Sequence, residues 1–136
     1  MRYGIIRSFL LALTLSASSA PLLAHHSFAA EYDDKKPVTL KGTVSKVEWT
    51  NPHARFYVDV KDEKGVVTNW EFELGSPNGL MRSGWTRNSL KQGDVITVAG
   101  SLAKDGSHLA NASSVTLDNG KKVLSGVSSA DDPATK

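Results

Sequence analysis

Apolar and polar positions alternate most clearly in two adjacent runs. In 54–60, Phe56, Val58 and Val60 fall on one side and Arg55, Tyr57 and Asp59 on the other. In 66–74, Thr68, Trp70, Phe72 and Leu74 face inward, and Val67, Asn69, Glu71 and Glu73 outward. Asp62-Glu63-Lys64-Gly65 separates the runs and suits a hairpin turn, with Gly65 free to take positive φ. Matching the apolar faces leaves the register open only to shifts of two residues. The simplest pairing sets Phe56 against Trp70, Arg55 against Glu71 and His53 against Glu73.

Before this hairpin, Pro37 opens a strand over 38–49, in which Leu40, Val44 and Val47 break strict alternation. Gly42 inside it predicts a bulge or bend of the kind that curls a sheet. Trp49-Thr50-Asn51-Pro52-His53 then turns the chain, because a residue before proline is held extended. After the hairpin, Ser76-Pro77 reads as an N-cap with proline at the first helical position, and Gly84 ends a short helix carrying Leu80 and Met81. Trp85 is placed to plug the end of the fold, and 86–90 forms another helical turn before Gln92-Gly93-Asp94. Strands follow over 95–100 and 109–117, with a turn at Lys104-Asp105-Gly106 and a brief last strand at 122–124. Three strands, a helical connection and two more strands is the order of a five-stranded OB-like barrel, an all-β class. A sandwich would have more strands and no helix there.

The flanks differ. Arg2 and Arg7 precede an apolar run, Phe9 to Leu15, too short for a final membrane anchor, and small residues lead to Ala24. Residues 1–24 are thus expected to be a signal peptide cut before His25, with an uncleaved anchor as the alternative. The expected mature parts are an arm over 25–37, the barrel over 38–124 and a loose polar tail over 125–136. Phe28 and Tyr32 are the arm's aromatic anchors. The expected location is periplasmic or secreted, with no stable membrane anchor after cleavage.

Removing 24 of 136 residues leaves 112, enough for one core, and takes two of the 16 basic residues and none of the 14 acids. The mature charge is then formally zero, which argues against a nucleic-acid partner. With no cysteine, thiolate catalysis and cysteine-ligated zinc are excluded. No nucleophile motif of the G-x-S-x-G type and no glycine-rich phosphate loop occurs, so an enzyme is not the expectation.

The four histidines carry the candidate chemistry. An N-terminal His25 can chelate through its α-amine and imidazole, His26 adds a second ring, and His53 or His108 can supply a further ligand. Copper or zinc would suit such a set. Glu73 is placed to orient His53, as carboxylates beside ligating histidines commonly do. The alternative site is the polar sheet face of Arg55, Tyr57, Asn69 and Glu71 with Trp49 above it, which could hold a carbohydrate, a peptide or a cell-envelope partner. Each histidine also has a plainer role, in a soluble start, a turn or an exposed loop. The sheet face can be no more than solvated pairs.

Ala24-His25-His26-Ser27-Phe28, Glu48-Trp49-Thr50-Asn51-Pro52-His53 and Gly84-Trp85-Thr86-Arg87 through Leu90-Lys91-Gln92-Gly93-Asp94 together resemble a family of small exported bacterial proteins catalogued as a domain of unknown function. The resemblance covers nearly all of the chain after residue 24. It implies a small secreted β domain behind a signal peptide and transfers no catalytic residue. One departure is Arg55, where the family commonly has an aromatic after the His-Ala pair.

Overall fold

A computed structural model describes residues 28–125. In chain order the elements are α1 (Phe28–Glu31), β1 (Tyr32–Glu48), β2 (Arg55–Lys61), β3 (Val67–Glu73), α2 (Pro77–Arg82), β4 (Val95–Ala103), β5 (Leu109–Leu117) and β6 (Lys122–Ser125). The six strands form one sheet in the order β3-β2-β1-β4-β5-β6, antiparallel at each of these steps. A further parallel pairing joins Glu71, Phe72 and Glu73 of β3 to Leu109, Ala110 and Asn111 of β5, so five strands close into a ring. The expected strand count and the helix between the third and fourth strands are present, with β6 appended outside the ring. Among the described residues, no helix is long and apolar enough to cross a membrane.

The two alternating runs build the interior. Phe56, Val58, Phe72 and Leu74 are buried, and the Phe56 and Phe72 rings stack at 5.3 Å. Ile96, Val98, Ala110, Ala112 and Val115 complete this core from β4 and β5. The segment after β3 contributes Leu80, Trp85 and Leu90 to the same cluster. Its helix starts as expected: the Ser76 hydroxyl accepts the Gly79 N–H at 3.2 Å, with Pro77 next in the chain.

β1 departs from the expected strand in two ways. The pairing of β1 with β2 slips between Val44 and Lys46, so the bulge lies at Ser45 rather than at Gly42. The slip lets Val44 and Val47 both meet the core, which accounts for the broken alternation. Gly42 serves close approach instead, since a Cβ there would stand 2.4 Å from the Asp59 carbonyl oxygen. The strand also begins at Tyr32, six residues before Val38. Tyr32 and Asp33 pair with Ala103 and Leu102 of β4, a second irregularity intervenes, and Pro37 resumes the ladder opposite Ser101. Much of the segment expected to be an arm is therefore strand, and β4 runs on to Ala103 to receive it.

The register of β2 with β3 is shifted by two residues from the simplest pairing. Arg55 is opposite Glu73, Phe56 opposite Phe72 and Val58 opposite Trp70. The turn is the cause. The Asp62 carboxylate accepts the N–H groups of Lys64 (2.8 Å) and Val66 (2.9 Å), and Gly65 takes φ of 84°. Val66 is held in the turn, and the ladder starts at Lys61 opposite Val67. A two-residue shift keeps every side chain on its own face, so the apolar pattern is indifferent to it.

Candidate functional site

Five side chains meet where β2 begins and β3 ends. Alternation aims Glu73 away from the core, yet only 4% of the residue is exposed. Its neighbours explain how a carboxylate is tolerated there. His53 Nδ1 lies 3.1 Å from Glu73 Oε1, and an Arg55 guanidinium nitrogen lies 3.4 Å from Oε2. The same guanidinium reaches Glu71 at 3.1 Å, so Arg55 bridges two acids. Burial opposes the Arg55 charge, but Glu71 and Glu73 outweigh it and raise its pKa above the usual arginine value.

The fifth member is Tyr32, which is 2% exposed. Its hydroxyl lies beside Glu73 but makes no well-formed hydrogen bond among the described residues. Burial, with the Glu73 charge second, pushes its phenol well above the ordinary tyrosine range. Phe28 packs on the Tyr32 ring at 5.5 Å, so both expected aromatic anchors act together. Across the parallel seam, Asn111 stands opposite Glu73 and is also buried.

The seam explains why the start of β1 arrives here. Chain order puts the start of β1 and the His53 turn at opposite ends of that strand. The β3–β5 pairing instead sets the end of β3 beside the beginning of β5. β5 pairs with the end of β4, and that end receives Tyr32. Tyr32 and Asn111 were not among the candidate residues. Their only signals in the sequence were an isolated aromatic and a polar residue within a strand.

The other candidates are distributed differently. His108 lies on the Trp70 ring at 4.9 Å, and its carbonyl accepts the Glu71 N–H at 2.9 Å. Trp49 is partly buried and packs against the core. Tyr57 donates to Glu48 at 3.1 Å, and Lys46 Nζ sits 5.3 Å from the Tyr57 ring centre. Burial and then the Glu48 bond raise the Tyr57 pKa, while hydrogen bonds from Lys46 and Tyr57 lower that of Glu48. Asn69 donates to Asp59 at 2.7 Å and to Ser45 at 3.0 Å. The polar sheet face is thus bonded to itself along its length. His25 and His26 lie outside the described residues. Among the described residues, no three His, Asp or Glu side chains converge as metal ligands would.

Chemically, the five-residue cluster holds one imidazole in a fixed orientation. Nδ1 of His53 lies against a buried carboxylate, Nε2 is the ring nitrogen left for another partner, and the His53 side chain keeps 17% of its surface exposed. Comparison with curated proteins and with solved structures finds no match. The model of DUF6152, described as a family of unknown function, matches residues 12–112. That span is well over half of the chain and takes in every member of the Glu73 cluster, and the protein therefore belongs to the DUF6152 family.

Proposed function

We propose that this protein is an exported, non-enzymatic binding domain with an OB-like barrel, which holds a divalent metal through its N-terminal histidines and His53. Residues 1–24 act as the signal peptide, and its removal creates the free amine of His25. The α-amine and ring nitrogen of His25, the His26 ring and His53 Nε2 form a nitrogen-rich set that suits Cu(II), with Zn(II) second. Glu73 orients His53 from the other ring nitrogen. The observation that carries this reading is the position of Tyr32 beside the carboxylate that holds His53. His26 is six residues before Tyr32 with α1 between them, within a reach of about 15 Å at roughly 3.3 Å per extended and 1.5 Å per helical residue.

The test starts from the exported protein, with its first residue identified by mass spectrometry, and titrates copper and zinc. The expected result is a chain beginning at His25 whose copper affinity falls at least about tenfold with a Gly-Ser extension at the amino terminus, and again with His53→Ala. Circular dichroism should show both variants folded. Unchanged affinity in either variant overturns the site. Absence of metal binding would leave a metal-free module for a carbohydrate, peptide or envelope partner. Loss of that binding on joint Trp49→Ala and Tyr57→Ala substitution would locate it on the polar face.

A further inference from the structure

A second concavity lies away from the Glu73 cluster. It is a groove of about 430 Å³ between the connection that follows α2 and the hairpin joining β5 to β6. That volume is in the range of small-molecule sites. Its floor is fixed: Trp85 is almost fully buried, and its indole N–H donates to the Val123 carbonyl, tying the connection to β6. Leu117 and Val123 add apolar wall. Around this floor stand Lys91, Lys121 and Lys122. None of the three ammonium groups is paired with an acid among the described residues, although Lys36, Lys41 and Lys46 all are. Among the described residues, the single acid of the lining is Asp94, and its carboxylate already accepts the Lys91 backbone N–H at 2.8 Å. The Asn88 side-chain amide also lines the groove and has no hydrogen-bond partner among the described residues.

We propose that this groove binds a small organic anion, with a carboxylate or phosphate group held by Lys91, Lys121, Lys122 and Asn88 and an apolar body against Trp85, Leu117 and Val123. With three lysines against one acid among the described lining residues, the half-apolar concavity carries an excess of positive charge. An anion would balance that charge and could accept from the Asn88 amide. The site is independent of the metal reading, because it shares no residue with it.

The test follows amide and indole resonances of the folded exported chain by two-dimensional NMR. Benzoate, phenyl phosphate and neutral benzyl alcohol are titrated separately. Benzoate or phenyl phosphate should give saturable shifts centred on the Trp85 indole N–H, Asn88 and Lys122, and the tighter of the two names the anionic group. Benzyl alcohol should bind at least about fivefold more weakly, and a Lys121→Ala, Lys122→Ala double variant should lose about five- to tenfold in affinity for the anion. Raising salt from about 20 mM to about 500 mM should weaken the anions but not the alcohol. Equal binding of benzyl alcohol, shifts centred elsewhere, no saturable shift, or unchanged affinity in a folded double variant would each overturn the proposal.

Discussion

Removing the Glu73 carboxylate should expose how the cluster is held together. In Glu73→Ala the imidazole of His53 loses the carboxylate that stands 3.1 Å from its Nδ1, in a setting that is mostly buried. A buried polar group left without its partner costs about 1–3 kcal/mol. Arg55 loses less, because its side chain is 42% exposed and it keeps Glu71 at 3.1 Å, so about 0.5 kcal/mol is expected from that side. Together these give a loss of about 1.5–3.5 kcal/mol, a large part of the stability of a domain this size. Glu73→Gln keeps the shape and an oxygen that can accept from His53, and should cost roughly half as much. Urea unfolding followed by tryptophan fluorescence measures both. A double-mutant cycle with His53→Ala should return a coupling of about 1–2 kcal/mol, and one with Arg55→Ala less than about 1 kcal/mol. A Glu73→Ala loss below about 1 kcal/mol, or stronger coupling to Arg55 than to His53, would refute the view that Glu73 chiefly anchors the imidazole.

Two further expectations follow from neighbouring positions. Tyr32 has a folded pKa above its ordinary value near 10, so its contribution is fully present below about pH 10 and is lost as pH rises beyond it. Wild-type stability should then fall by up to about 1.4 kcal/mol per pH unit relative to Tyr32→Phe, while near pH 7 the substitution costs under about 1 kcal/mol because the hydroxyl lacks a well-formed bond. Urea melts of both proteins from neutral to alkaline pH measure this, and parallel curves would contradict it. Gly100→Ala would place a Cβ 2.2 Å from the Asn111 carbonyl oxygen, at the register shift in the pairing of β4 with β5. Backbone cannot turn aside as a side chain can, so a loss of about 2–3 kcal/mol is expected in the same assay.

The sequence by itself determined the elements and their faces. Alternation placed Phe56, Val58, Phe72 and Leu74 in the core, and local chemistry at Ser76-Pro77 and at Asp62 to Gly65 marked the helix start and the hairpin. These features depend on residues a few positions apart, so they are visible in the chain. The folded structure decided the two-residue register, because both registers bury the same faces and only the bonds that the Asp62 carboxylate makes within the turn separate them. It also decided the ring: the parallel seam of β3 with β5 joins residues far apart in the chain and leaves no periodic trace. That seam, with Tyr32 carried in by the end of β4, turns Glu73 from one more outward-facing carboxylate into a buried one holding His53.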